Sequence, residues 1–483
     1  MSTSIVHYYG AQQSKCGYCG GTKCSMSHGM HAYLLACQDY QDLIDRGWRR
    51  CGDYCYKMRN KETCCTAYTI KSNALKFKLS KSQKRVLRRV NRFLRDGKRE
   101  FKLDAGEGDG EDDACDASGA PEVTVSEPQP QLPDKRPAVI NVDQIASLAR
   151  AQKKPTKLVA APTSEAPSVE APTLGSNKSA APISNKPCKK AKQMRLERRQ
   201  AKLGDTASTT TKSLSQEKSL RDFLTSDSET NKHQLKIVLV ASSDTQRTCA
   251  DAVVALYRKY QVTIHNDNPA CITLSSMQRF LVKTPLKNEK SLGAPEMGYG
   301  SFHQQYWLDD KLIAVGVIDI LPSCVSSVYF FYDPDYSFLS LGTYGSLREI
   351  DLVQSLAENV PELKYYYMGF YIHSCPKMRY KGKLSASYLL CPETYDWLPL
   401  TDAIRSKLDE HKYQRLNADA NARDVNEFLM EHLDDVRLLL GVNNFTYYKN
   451  YNQLSDSENE MIIEYSKLVG KVCARRMLYV NIV

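Results

Sequence analysis

The apolar positions of this chain follow three regimes. Near residue 80 they recur at helical spacing. Val86, Leu87, Val90, Phe93 and Leu94 share one face, with Ser80 or Ser82 as a cap and Gly97 as a stop. From Asp104 the period is lost. An acidic patch (Asp104, Glu107, Asp109, Glu111, Asp112, Asp113) opens a tract rich in Ala, Pro, Ser and Thr that runs to about Thr230. Such a tract cannot bury enough apolar surface to offset its ordering entropy, so it reads as a disordered linker. Near Gln234 patterned sequence resumes. Lys236 to Val240 reads as a buried strand and Thr248 to Tyr260 as a helix. Phe302 to Tyr306 and Lys311 to Ile320 read as strands joined by a turn at Asp309 and Asp310, and Cys324 to Tyr332 as another strand. Gly342 to Leu356 follows as a helix, then a Tyr-rich strand from Lys364 to His373, and helical segments dominate from Asp402 onward. Hairpin strands, a helix and a further strand make an α+β plan. The divisions are a Cys-rich module at 1–103, a disordered linker at 104–230 and a folded domain at 231–483.

Cysteine placement sharpens the first division. Eight of the 16 cysteines lie in the first 65 residues. Cys16 and Cys19, in Cys-Gly-Tyr-Cys, set two sulfurs on one side of a tight turn that Gly17 permits, and the adjacent Cys64 and Cys65 supply another side. Four thiolates at this spacing bind zinc or an iron–sulfur cluster, and the residues alone leave both open. Buried free thiols are the plain alternative, since Cys24, Cys37, Cys51 and Cys55 crowd the same segment. Disulfides are not expected. The N-terminus lacks a basic stretch followed by an apolar one, and no run reaches the roughly 18 apolar residues of a membrane span. The expectation is a reducing compartment, cytoplasm, nucleus or both, and no membrane partner.

The net charge of +11 matters for where it sits. Lys84, Arg85, Arg88, Arg89, Arg92 and Arg95 fill the polar face of the helix near residue 80, and no acidic residue lies between Ser80 and Arg95. A solvated surface would more often mix signs, so this face is read as a polyanion contact. A second basic island, 186–202, reads equally as a nuclear import signal, an RNA contact or a solvated helix.

Longer motifs carry a resemblance. Residues 301–322 (Ser-Phe-His-Gln-Gln-Tyr-Trp-Leu-Asp-Asp-Lys and onward to Pro322), 324–336, 338–342 and 347–350 resemble the core of arginyl-tRNA–protein transferases. So does 365–382, Tyr-Tyr-Tyr-Met-Gly-Phe-Tyr-Ile-His-Ser-Cys-Pro-Lys-Met-Arg-Tyr-Lys-Gly. The Cys-Gly-Tyr-Cys turn, the Cys-Cys-x-x-Tyr-Thr-Ile segment and Ser80 to Gln83 are similar to the other module of that family. The resemblance covers about 1–103 and 234–400. It implies an enzyme that moves arginine from arginyl-tRNA onto protein N-termini, an acetyltransferase-like (GNAT) core and an iron–sulfur site on Cys16, Cys19, Cys64 and Cys65. It also implies acceptors with N-terminal Asp, Glu or oxidised Cys, which are thereby marked for ubiquitin-dependent degradation. The chain departs from the family pattern at Thr66-Ala67, where Pro is usual, and at Leu384, where an aromatic is frequent.

That chemistry asks little beyond positioning. Aminoacyl-tRNA is an activated ester, and an α-amine with a pKa of about 7.7–8.0 is partly neutral at pH 7. The reaction needs the amine held against the carbonyl, donors for the oxyanion and a modest base. Asp333 is a candidate base or amine anchor, or else a turn residue before Pro334. Tyr371 and His373 alternate onto one strand face and would orient the amine, or simply pack. Arg379, Lys381 and Lys383 follow in a turn and would receive an acidic acceptor side chain, or form a solvated loop. The basic helix would hold the tRNA phosphates. Gly342 and Gly345 open a helix without the full glycine pattern of a coenzyme pyrophosphate site, so no coenzyme A is expected. A coenzyme A acetyltransferase and a non-catalytic zinc-containing RNA-binding protein are the rival readings. The second leaves the Tyr-rich strands unexplained.

Overall fold

Fifteen strands among the described residues sort into two mixed sheets. They are seen in a computed structural model that describes residues 3–99, 140–151, 218–225, 230–440 and 444–481. In chain order the strands are β1 (Ile5–Ser14), β2 (Ser25–Leu34), β3 (Trp48–Cys51), β4 (Tyr54–Met58), β5 (Tyr68–Asn73), β6 (Leu235–Ala241), β7 (Gly300–Leu308), β8 (Lys311–Leu321), β9 (Cys324–Tyr332), β10 (Tyr365–Tyr371), β11 (Ser387–Leu390), β12 (Trp397–Pro399), β13 (Arg437–Leu440), β14 (Asn444–Tyr447) and β15 (Leu478–Asn481). The principal helices are α1 (Cys37–Ile44), α2 (Lys81–Asp96), α3 (Val142–Ala151), α4 (Leu220–Leu224), α5 (Asp251–Tyr260), α6 (Leu341–Ala357), α7 (Asp402–Glu410) and α8 (Asp456–Arg476). The architecture is α+β, as the sequence pattern indicates.

The larger sheet has the order β12-β11-β5-β10-β9-β8-β7-β6. Its β7–β8 hairpin turns at Asp309 and Asp310, whose φ angles are 47° and 67°. Positive φ at both central residues is what a two-residue hairpin turn requires, and Asp tolerates it. β8 is buried from Leu312 to Leu321, which explains its nearly unbroken apolar run. From β9 the chain crosses through α6 to β10, which lies parallel to β9. β10 then pairs on its other side with β5, a strand from the N-terminal segment, and β5 pairs in turn with β11. Tyr68 and Ile70 of β5 therefore belong to the same core as Val317, Phe331 and Tyr366.

The smaller sheet runs β14-β13-β15-β1-β2-β4-β3 and joins both ends of the chain. β15 lies parallel to β1 and to β13. Helical segments do not dominate after Asp402. Only α7 and α8 are long there, and β13, β14 and β15 take up much of the rest. A run as short as Arg437–Leu440 has no periodicity that separates strand from helix, and it is set by pairing with β14 on one side and with β15 on the other. Most of the 104–230 tract, including the basic island at 186–202, lies outside the described residues. Where the structure describes that tract, two helices pack. Ile145 and Ala146 of α3 join Ile5, Leu34 and Leu439, and Leu220, Phe223 and Leu224 of α4 join the main core against α2.

A buried ion pair ties the two sheets together. Arg50 on β3 donates to both carboxylate oxygens of Asp319 on β8 at 2.8 and 2.5 Å, and to Ser301 Oγ at 2.7 Å. The two side chains are 2% and 0% exposed. Removing one partner of such a pair strands the other charge in a low dielectric. Arg50→Ala should therefore lower unfolding stability by about 3–5 kcal/mol, read as a fall in the urea midpoint. Arg50→Met with Asp319→Leu should recover much of that loss, because no charge is then left buried.

Candidate functional site

The chain leaves β1 into a tight turn in which Cys16 N–H donates to Gly21 O at 2.9 Å and Gly20 N–H to Cys16 O at 2.9 Å. Gly20 adopts φ 75°, which a side chain would resist. This turn presents Cys16 and Cys19. Opposite, the segment after β4 presents Cys64 and Cys65, and all four sulfurs lie within 4.8 Å of one another. A tetrahedron of sulfurs at ordinary zinc–thiolate length has edges of about 3.8 Å, so the quartet fits a soft metal ion. The structure adds a fifth sulfur. Cys24 Sγ lies 3.2 Å from Cys64 Sγ and 3.9 Å from Cys19 Sγ. The Gly21 N–H, and then Cys64, draw the exposed Cys19 thiol down to about 6, while burial pushes Cys65 up to about 12. The two thiols sit in different settings, Cys19 exposed and Cys65 buried.

The buried side rests on β10. Cys16 and Cys65 pack with Ala67, Phe370, Ile372 and Met378. Tyr371, the last residue of β10, packs in the main core instead, and His373 lies not on the strand, as the alternation predicts, but in the turn just after it. There Tyr371 OH and His373 Nδ1 are 2.6 Å apart, and His373 Nε2 is 2.7 Å from Asp409 Oδ1. Burial raises the Tyr371 phenol, opposed by Arg405 and Arg379. Asp409 sits in the last turn of α7 with its side chain 64% exposed. The sequence reading does not include it. An acid near the end of an amphipathic helix has no signal of its own, and only the fold sets it against His373.

The three candidate cations after β10 have different fates. Arg379 is exposed, donates its Nε–H to His373 O at 2.9 Å and has Nη2 3.9 Å from Asp409. Lys383 is also exposed. Lys381 is 6% exposed and donates to Met368 O at 2.7 Å, beside the β10 bulge where Gly369 adopts φ 74°. These residues form short helical turns, Pro376–Arg379 and Tyr380–Lys383, rather than an open loop. Asp333 stands apart. It caps the turn Pro334–Leu339 and pairs with Lys259 at 2.5 Å and Lys311 at 2.8 Å. Burial pushes its carboxyl up, but the two lysines and the Asp335 N–H outweigh burial and hold it below the usual range. No hydrogen bond or ion pair among the described residues joins Asp333 to Tyr371 or His373.

The basic helix is α2. Ser80 and Gln83 form a capping box, and Gly97 closes it with φ 66°. Leu87, Val90, Phe93 and Leu94 are buried, and α2 packs on α4, α6 and the Pro334–Leu339 turn. Arg85, Arg88 and Arg92 are exposed and Lys84 is half-buried. Arg89 turns inward and donates to Phe338 O at 3.0 Å and Ser340 Oγ at 3.2 Å. The helix thus keeps an exposed cationic face while one of its arginines anchors it.

The family described as Arginine-tRNA-protein transferase, N terminus, matches residues 14–85, and its C-terminus description matches residues 252–391. Arginyl-tRNA–protein transferase 1 of Drosophila melanogaster is 73% identical over 491 residues, covering 100% of each chain. Arginyl-tRNA–protein transferase 1 of Arabidopsis thaliana is 35% identical and covers 85% of this chain and 75% of its own. Aspartate/glutamate leucyltransferase of Campylobacter jejuni is 35% identical over 94 residues, 20% of this chain and 37% of its own. The full-length match, with both halves of the family description present, shows that this chain belongs to the arginyl-tRNA–protein transferase family.

Proposed function

We propose that the chain transfers arginine from arginyl-tRNA to the α-amine of acceptor proteins, and that Asp409, held by Tyr371 and His373, receives that amine. The carrying observation is the Tyr371–His373–Asp409 chain of hydrogen bonds in a full-length relative of known arginyltransferases. With Asp409 ionised, His373 Nε2–H donates to it, and Nδ1 is left to accept the Tyr371 O–H. One neutral tautomer is thereby set, and the exposed oxygen of Asp409 is free to draw an ammonium. Solvent takes the ammonium's first proton at this exposed position, the neutral amine attacks the ester carbonyl, a C–N bond forms, the C–O bond to ribose breaks, and the second amine proton passes by way of Asp409 to the leaving ribose oxygen. Tyr371 is 0% exposed, so it acts as a positioning residue for His373.

The acceptors are read as proteins with N-terminal Asp, Glu or oxidised Cys, destined for the ubiquitin-linked N-degron route. Arg379 and Lys383 beside Asp409 suit an acidic side chain next to an ammonium. Lys381 would act through the strand rather than by contact, and Asp333 by fixing the end of β9. A GNAT-like core is supported by the β9–α6–β10 crossover, whose ladder pairs only Tyr365 to Tyr367 with Cys324 to Ser326. Beyond those positions the parallel strands part at their carboxyl ends, where open sheets bind ligands. The donor ester is already activated, so no coenzyme A is called on. Phosphates of the tRNA would lie on Lys84, Arg85, Arg88 and Arg92. Cys16, Cys19, Cys64 and Cys65 would hold an iron–sulfur cluster, or alternatively zinc. When bound, such a group supplies a cross-link between two turns and, for iron, electron transfer. The chain's own part is to press Cys16 and Cys65 against Phe370 and Ile372, which steadies the end of β10. A reducing cytoplasmic and nuclear setting fits that thiolate set. No helix among the described residues is long and apolar enough to cross a membrane. A non-catalytic zinc-containing RNA-binding protein would account for the first hundred residues only.

Four measurements check this reading. With arginine, tRNA and its synthetase, the chain should label peptides that begin with Asp or Glu and leave Ala-initiated peptides nearly unlabelled. Asp409→Asn should lower kcat/KM by about 10² or more with tRNA affinity kept, and equal labelling of all peptides would reject the charge-matching argument. Reversing Arg85, Arg88 and Arg92 to Glu should weaken tRNA binding and flatten log K against log salt by about one unit for each phosphate no longer neutralised. An unchanged slope would make α2 a solvated face. Protein prepared without oxygen should carry iron and sulfide, and Ser at Cys16, Cys19, Cys64 or Cys65 should abolish its visible absorption. Stoichiometric zinc without iron would assign the site to zinc.

A further inference from the structure

A cavity of about 350 Å³ opens between the end of β4, the start of β5 and the loop before β12. Lys57, Arg59, Thr69, Glu393, Tyr395 and Tyr413 are among its walls. Thr69 is 3% exposed, and no described group bonds its Oγ1. A buried hydroxyl left so costs free energy unless something else meets it. Lys57 Nζ donates to Tyr395 OH at 2.7 Å and to Leu468 O at 3.4 Å, and no carboxylate among the described residues lies within ion-pair distance of it. Tyr395 is held at φ 56°, a conformation that costs a bulky residue and is often kept at binding sites. The carboxylates of the wall are already engaged. Glu62 pairs with Arg59 at 2.7 Å, Glu393 accepts from Tyr413 at 2.8 Å, and Glu464 accepts from Tyr8 at 2.7 Å. What remains is one lysine without a carboxylate partner and one hydroxyl without a hydrogen-bond partner, set on aromatic walls.

We propose that this cavity is a second acceptor subsite, taking the side-chain carboxylate of an Asp or Glu a few residues beyond the acceptor's N-terminus. The assignment rests on the amine meeting Asp409, as argued above. The two places are joined by one stretch of chain. Asp409 lies in the last turn of α7, and Tyr413, in the cavity wall, follows four positions later, a span of at most about 14 Å. Tyr68, which also lines the cavity, pairs with Tyr371 across β5 and β10 and bonds to the backbone of Lys412 and Gln414. An extended acceptor of three or four residues covers that reach. A single carboxylate matches Lys57 and Thr69. A nucleic-acid backbone does not, because successive phosphates would be driven against Glu62, Glu393 and Glu464. The volume fits one residue rather than a helix or a base pair.

Transfer to peptides that begin with Asp and carry one Glu or Gln at each of positions two to five tests the subsite. In the unmodified protein, one position should give a KM about tenfold lower for Glu than for Gln, roughly one charge-assisted hydrogen bond. In Lys57→Met and in Thr69→Val that ratio should fall toward one. Thr69→Val keeps the shape and removes only the hydroxyl, so its melting temperature should not drop. A drop would mean that the hydroxyl serves the fold. Equal KM for Glu and Gln at every position, or a preference that survives both variants, overturns the proposal. Glutarate supplies the other source of the same chemistry. If it binds the unmodified protein and not the variants while the peptide series is flat, the cavity serves a free carboxylate and the acceptor assignment falls. If no peptide is labelled at all, the transfer reading fails. Fluorescence anisotropy of the Glu and Gln peptides on the same proteins then still decides the subsite.

Discussion

Six residues, Tyr68 to Asn73, do most to organise this molecule. They enter the larger sheet between β10 and β11 and present backbone donors and acceptors to both neighbours. An interior strand cannot be withdrawn without orphaning two rows of buried N–H and C=O groups. Its position therefore fixes everything attached to it. Cys64 and Cys65 lie just before it and are delivered to the cluster of sulfurs beside Phe370 and Ile372. Thr69 faces the cavity, and Tyr68 braces the segment that follows Asp409. The Arg50–Asp319 pair then locks the companion sheet to this one from within the core.

The end of β10 separates the thiolate site, which packs on Phe370, from Tyr371 in the main core, and His373 follows in the turn just beyond. Anything that reshapes the two cysteine turns changes what Phe370 and Ile372 rest on, and Tyr371 and His373 share their backbone. The turn between Met58 and Cys64 also forms one lip of the cavity through Arg59 and Glu62. A metal that cross-links Cys16 and Cys19 to Cys64 and Cys65 would thus stiffen both the strand and the lip.

Charge is handled in two ways. Some ionic groups are used up by the fold. Asp333 neutralises two lysines, Lys381 satisfies a bulge carbonyl, and Arg89 anchors α2 to the turn ahead of α6. Each sits where a backbone group or an opposite charge would otherwise be left unmet, and burial makes that match worthwhile. Others stay open to solvent. Arg85, Arg88 and Arg92 project from α2, and Asp409 and Arg379 stand at the mouth of the β10 site. Residue type alone does not separate the two groups, since both contain arginine and aspartate.

Local physics made much of this legible in the sequence. The period of Val86 to Leu94 and the flanking Ser80 and Gly97 define α2, because helix faces and caps are set within a few residues. The Asp309-Asp310 turn and the apolar run of β8 define a hairpin for the same reason. The Cys16, Cys19, Cys64 and Cys65 quartet was readable as well, since soft-metal chemistry needs four thiolates and the spacing offers them. What the sequence could not decide is long-range. That β5 sits among strands from the other half of the chain, that β15 closes on β1, that Asp409 reaches His373, and that Lys381 is buried while Arg379 is not, all follow from packing between residues far apart in sequence. Such packing is selected by the free energy of the whole core, and no window of neighbouring residues contains it.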